Sequence, residues 1–231
     1  SLKIPVLVMA GGKGTRLDPL TKILPKPLIP VGDKPIVELI MDQFSEFGCN
    51  DFYLTVNYKG NMIQSYFDHA DCKYNVHLVW EKSFLGTAGS LVLVAPMVES
   101  SDLFVTNCDV LIKADYEDIF NFHHLNKNDM TIIGSMQHVP VPFGVLEMKN
   151  GGNFESIIEK PEYDFLANTG MYLIKTSAVE LIPPDIQLDF PEFLDRAKGA
   201  GKKIGVYPVS QRSWIDIGQW QEYQAVLKRL E

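Results

Sequence analysis

A chain of 231 residues, 46% hydrophobic and 22% charged, can build one large soluble core or two small ones, and a single domain is the expectation. Its formal net charge of −8 argues against a nucleic-acid partner, because affinity for a phosphate backbone comes from counterions displaced by a basic face. No apolar run approaches the roughly 18 residues of a membrane span, the run 5–10 is shorter than a signal-peptide core, and Cys49, Cys72 and Cys108 suit neither a disulfide framework nor a zinc ribbon. The expectation is a cytoplasmic protein with reduced thiols and no membrane contact. Ser1 stands where an initiator Met would, which reads as a processed or trimmed chain and leaves an upstream domain open.

In chain order, residues 6–9 form a short continuous apolar run ending in Gly11-Gly12-Lys13-Gly14. That is the pattern of a buried parallel strand opening into a loop, at the sheet edge where α/β proteins bind ligands. From Asp33, a candidate N-cap, with Pro35 in the first turn, Ile36, Leu39, Ile40, Phe44 and Phe47 recur at helical spacing up to Gly48. Runs 52–56, 76–80 and 103–106 read as strands, alternating with helices near 61–67, 87–94 and 116–126. This alternation predicts right-handed crossovers around a mostly parallel sheet covered on both faces. After Met130 the runs 130–137, 144–148, 154–159 and 170–174 read as strands separated by Pro, Gly and Asn turns. They are expected to finish the sheet with mixed and antiparallel strands and to form a small lobe for a second substrate. Residues 219–230 are again helical, and no repeat or low-complexity tract appears.

The chemistry gathers at the first loop, Gly11-Gly12-Lys13-Gly14-Thr15-Arg16-Leu17, followed by Pro25-Lys26-Pro27. Glycines let backbone N–H groups approach an anion, and Lys13 and Arg16 add charge suited to phosphates. The Walker pattern is absent and the Rossmann fingerprint fails at Leu17. Taken alone, such a loop is also a plain strand-to-helix turn. Asp109 ends an apolar strand and Asp216 sits between apolar neighbours before a helix; each could be a turn or cap residue, or a hard oxygen ligand for Mg²⁺. His123 and His124 have no metal-ligand spacing and read as surface or satisfied core groups, and Trp214 reads as core before pocket wall.

The run Gly11 to Leu17, with Pro19-Leu20-Thr21 and Pro25-Lys26-Pro27, resembles the signature of the sugar-1-phosphate nucleotidylyltransferases. The resemblance continues in order through Leu85-Gly86-Thr87-Ala88-Gly89, Asn107-Cys108-Asp109, Phe143-Gly144-Val145, Glu159-Lys160-Pro161, Asn168-Thr169-Gly170-Met171-Tyr172 and Trp214-Ile215-Asp216-Ile217-Gly218. It implies a Rossmann-like nucleotide-diphospho-sugar transferase fold, with a nucleotide-binding half over about 1–128 and a sugar-phosphate half over about 129–231. It also implies attack of a sugar 1-phosphate on the α-phosphorus of a nucleoside triphosphate, with Mg²⁺ as cofactor. Arg16, Lys26, Asp109 and Asp216 would be catalytic, the two aspartates sharing the metal. Ala10, Gly11, Gly12, Gly14, Thr15, Gly86, Thr87 and Ala88 would hold the nucleotide; Gly144, Glu159, Lys160 and Asn168 would hold the sugar phosphate. The wording Leu-Gly-Thr-Ala-Gly is commonest among the family's guanylyltransferases, including those of bacterial surface-sugar pathways acting on hexosamine, mannose or heptose phosphates. Uridylyl and thymidylyl transfer are the alternatives. One departure is Cys108, where glycine is usual before the metal-binding Asp.

Two other readings meet specific obstacles. A nucleotide-sugar-dependent glycosyltransferase would carry an acidic D-x-D pair, where this chain has Asn107-Cys108-Asp109. A silent regulatory subunit would tend to lose the catalytic Lys, Arg or Asp residues, and all four stand here. Family members that form dimers or tetramers leave a homo-oligomer open.

Overall fold

The structure is a computed structural model that describes residues 1–230. Seven strands make the main sheet: β1 Val6–Met9, β2 Asp51–Val56, β3 Asn75–Trp80, β4 Asp102–Asn107, β5 Met130–Pro140, β6 Glu162–Lys175 and β7 Ile204–Val209. Their order is β7-β5-β6-β4-β1-β2-β3, and β6 alone runs against its neighbours. The sheet is therefore mixed and mostly parallel, as the strand-helix alternation predicts.

The continuous apolar character of β1 and β4 follows from burial on both faces. Val6, Val8 and Phe104 point into one core with helix α1, Ile36–Glu46, whose Ile36, Val37, Ile40, Met41 and Phe44 are buried. Leu7, Leu103 and Val105 point into a second core on the opposite face, with Tyr172 and Phe190. Helices α2, Gly60–His69, and α3, Tyr116–Leu125, supply Ile63, Tyr116 and Ile119 to the first core. Helix α4, Phe190–Gly199, covers the second, and α5, Trp220–Leu230, closes the described chain. No helix among the described residues is long and apolar enough to cross a membrane.

Several local expectations are corrected. Asp33 does not cap α1: Gly32-Asp33 turns a two-stranded hairpin, Pro30–Val31 against Lys34–Pro35, and the helix begins only at Ile36 without a side-chain cap. The helix near 87–94 is two short pieces, Gly86–Gly89 and Leu91–Val94. The strand expected at 170–174 begins at Glu162 and runs 14 residues, with its register broken between Asn168 and Tyr172, where Gly170 has φ +82°. Helix α4 and strand β7 escape the sequence reading altogether. The hairpin Val145–Lys149/Asn153–Ile158 is the small antiparallel lobe.

His123 is a core group, but not a fully satisfied one. Its Nδ1 pairs with Thr131 Oγ1 at 2.8 Å, while Nε2 faces Asp102 Oδ1 at 3.6 Å, beyond hydrogen-bond reach. Burial pushes the imidazole down to about 4, against the opposing pull of Asp102. The unfolded chain takes up this proton near the ordinary value of about 6.5 and the folded chain does not. Stability is thus complete above that pH and declines as pH falls toward 4, by about 2 kcal/mol between pH 7 and pH 5. Urea denaturation at the two pH values checks this, and His123→Asn should flatten the slope.

Candidate active site

The site forms where the C-terminal ends of β1, β2 and β4 lie side by side, Met9 being in register with Thr55 and Asn107. The loop leaving β1 folds back over these ends and encloses a cleft of about 260 Å³. Gly11, Gly12, Gly14, Thr15, Arg16 and Lys26 line it from the loop, and Gly86 and Thr87 face them. Ala10 and Ala88 lie beneath this surface; the Ala10 N–H is taken by the Thr55 carbonyl and the Ala88 N–H by that of Leu188. Lys13 is exposed and outside the lining.

The loop is held from outside the cleft. Lys59 Nζ donates to the carbonyls of Thr21 and Lys22 at 3.1 and 2.6 Å, and the Thr21 hydroxyl donates to Asp18. Lys26 is carried inward, 9% exposed, to an ion pair with Asp109, itself 4% exposed. Arg16 stays at the exposed rim.

Asp109 and Asp216 are brought together by a short ladder in which Trp214–Asp216 runs antiparallel to Val110–Ile112. The Ile217 N–H then donates to the Asp109 carbonyl, and the Gly218 N–H to Asp216 Oδ1 at 2.7 Å. A Cβ at Gly218 would stand 2.1 Å from Asp109 Oδ2 and 2.8 Å from Asp216 Oδ1, so the two carboxylate oxygens lie within about 5 Å of one another. Among the described residues no group of three or more His, Cys, Asp and Glu side chains could hold a metal. The two aspartates fit a hard divalent cation that completes its shell with phosphate oxygens and water, as Mg²⁺ does. Cys108 fits at the cleft wall, its thiol pushed up to about 12 by burial. Trp214 packs against the first core and does not line the cleft.

The four residues expected to hold a sugar phosphate do not line this cleft. Gly144 and Glu159 meet at the base of the lobe hairpin, Glu159 Oε2 being 2.9 Å from where a Gly144 Cβ would stand. Lys160 follows in a turn with φ +45°. Asn168 is nearer: it occupies the irregular stretch of β6 whose Gly170 packs directly on the Asn107 side chain in the cleft.

Glu81 is the residue that sequence reasoning missed. It follows β3, lines the cleft and is 5% exposed. Oε2 accepts the Leu85 N–H at 3.0 Å, and Oε1 lies against Gly11. Burial pushes its carboxyl up. An acidic residue directly beyond the C-terminal end of a strand was the available signal.

A model of the nucleotidyl transferase family matches residues 5–231. The mannose-1-phosphate guanyltransferase of Yarrowia lipolytica is 31% identical over 229 residues, covering 94% of this chain and 61% of that protein. The chain thus spans about three fifths of the length of this relative. Among solved structures, HddC from Yersinia pseudotuberculosis superposes with a TM-score of 0.75 at 25% identity, covering 99% of this chain and 100% of that one. The same protein complexed with GMP-PN gives 0.76 at 24% identity with the same coverage, a likeness of fold.

Proposed function

The chain belongs to the nucleotidyl transferase family, and from that premise we propose that it transfers GMP from GTP to a sugar 1-phosphate, giving a GDP-sugar and pyrophosphate. The observation that carries this reading is the convergence of Lys26, Asp109 and Asp216 beneath a glycine loop bearing Arg16. That set suits a triphosphate, and it contains no His; this reaction needs no general base. The second pKa of a phosphate monoester lies near about 6, so the nucleophile arrives ionised. Catalysis then rests on alignment and on neutralising charge at the α-phosphate. Lys26 meets that charge from the cleft floor, and Arg16 at the rim holds the departing β- and γ-phosphates. Asp109 and Asp216 would hold Mg²⁺, which supplies further neutralisation of the triphosphate. Lys160 receives the sugar phosphate, Glu159 accepts from sugar hydroxyls, and Gly144 and Asn168 complete that pocket.

Glu81 supports guanine. A buried carboxylate can accept from the adjacent N1–H and N2–H of guanine, a donor pair that neither uracil nor thymine presents. Hydrogen bonds to charged groups contribute about 1.5–3 kcal/mol. Glu81→Gln should therefore lower kcat/KM for GTP by roughly 10- to 100-fold and narrow its lead over UTP and dTTP. Equal losses for all three nucleotides would remove Glu81 from base selection. The name of the Yarrowia relative makes mannose 1-phosphate the first acceptor to try. The test is Mg²⁺-dependent pyrophosphate release from each nucleoside triphosphate, crossed with mannose, hexosamine and heptose 1-phosphates. Release with GTP and one sugar phosphate supports the proposal. Release with UTP or dTTP alone overturns guanine, and no release with any pair overturns the activity.

A further inference from the structure

The loop 85–89, taken as the base loop against which the nucleotide's base sits, and Asn168 are joined by an unbroken series of contacts through the second core. Thr87, in the cleft wall, donates its N–H and its hydroxyl to Asp189 Oδ1 at 2.8 and 3.1 Å, and the same hydroxyl accepts the Phe190 N–H at 2.9 Å. Ala88 and Gly89 donate their N–H groups to the Leu188 carbonyl, and Leu188 donates back to Leu85. Gly86, with φ +79°, has no room for a side chain: a Cβ would stand 2.5 Å from the Leu188 oxygen. Residues 188–190 are therefore a backing plate for the loop, with no gap between the two.

Phe190 carries the series onward. Its ring, 1% exposed, lies flat on Tyr172, 3% exposed, with centroids 3.7 Å apart and planes 2° from parallel. The Tyr172 hydroxyl accepts from Asn168 Nδ2 at 2.7 Å, and Asn168 Oδ1 accepts the Gly170 N–H at 3.0 Å. Both ends of the Asn168 amide are thus specified, one by its own turn and the other by Tyr172. Two buried rings in a close-packed interior do not shift independently. Displacement of the base loop is passed to the phenol, and from there to the amide.

We propose that Tyr172 and Phe190 are positioning residues that set Asn168 for the acceptor according to the state of the nucleotide loop. A nucleotide seated against Thr87 fixes residues 188–190, the ring pair follows, and Asn168 is presented to the sugar 1-phosphate. This rests on the functional reading above, in which Thr87 faces the nucleotide and Asn168 the acceptor. It assigns roles to two buried aromatics that touch neither substrate.

The test uses the full chain with Tyr172→Phe, which keeps the stacked ring and removes only the hydroxyl, Phe190→Leu, and the double variant. With GTP, Mg²⁺ and mannose 1-phosphate, Tyr172→Phe is expected to raise the KM for the sugar phosphate about tenfold while leaving the KM for GTP unchanged. Phe190→Leu is expected to raise both, and the double variant to be no worse than Phe190→Leu for the sugar phosphate, the non-additivity of residues acting as one unit. A merely structural role would lower Tm and leave the KM values together. A second readout needs no turnover: the Asn168 side-chain amide signals in the NMR spectrum, identified by their loss in Asn168→Asp, should shift when GMP is added and cease to respond in Phe190→Leu. Additive KM effects, a Tyr172→Phe variant with both KM values unchanged, or amide signals indifferent to GMP would overturn the proposal. Absence of turnover by the unaltered chain counts against the functional reading and leaves the amide signals to decide the relay.

Discussion

Lys26→Ala is expected to lower kcat by roughly 10²-fold or more, the scale of losing one preorganised electrostatic stabiliser, and to destabilise the fold as well. The two effects share one cause. Lys26 and Asp109 are almost completely withdrawn from water, and each is the other's counter-charge. Removing one partner of a buried pair leaves the second charge uncompensated, at about 3–5 kcal/mol. The separation of the effects is itself testable: adding Asp109→Asn to Lys26→Ala should recover much of the lost stability in urea denaturation and none of the lost activity. A Lys26→Ala enzyme with near-native kcat would show that the ammonium holds Asp109 and does not meet the α-phosphate. Arg16, exposed at the rim and outside this pair, should lose activity on replacement by alanine without a comparable fall in stability.

What the sequence discloses depends on whether the signal is local. The strand Val6–Met9 is readable because burial on both faces makes it continuously apolar, and α1 because its apolar residues keep helical spacing. The start of α1 is not readable from Asp33, since the hairpin through Gly32 competes for the same residues. Helix α4 carries a capping box, Asp189 with Glu192, and Pro191 in its first turn. Those signs are local to the helix start, and the apolar stripe behind them, Phe190, Phe193 and Ala197, is too short to announce a helix by itself. The first half of β6 is exposed and lacks a continuous apolar run, so only its buried second half reads as a strand. Nothing near Asp109 announces Asp216: family resemblance paired them, and the ladder between Val110–Ile112 and Trp214–Asp216 supplies the physical reason. Glu81 looks like an ordinary surface acid until the fold shows it turned into the cleft.

Gly218→Ala should abolish most activity, and it tests that ladder directly. Gly218 has no positive φ, so its backbone admits alanine without strain, and any effect comes from the added methyl. That methyl would stand 2.1 Å from Asp109 Oδ2 and 2.8 Å from Asp216 Oδ1. A side-chain oxygen can usually swing away at little cost, but Asp109 is buried and held by Lys26, so it moves only by giving up the ion pair. Asp216 is tied in turn by the Gly218 N–H. The methyl therefore separates the carboxylates or displaces Lys26, and either change removes the geometry on which the proposed transfer rests. Misplacement by about 1 Å can cost roughly 10²-fold in rate. If separation of the carboxylates dominates, the Mg²⁺ concentration for half-maximal rate should rise in Gly218→Ala. If displacement of Lys26 dominates, kcat falls at unchanged Mg²⁺ dependence. Retention of native kcat and native Mg²⁺ dependence would mean that the convergence of Asp109 and Asp216 has no part in the reaction.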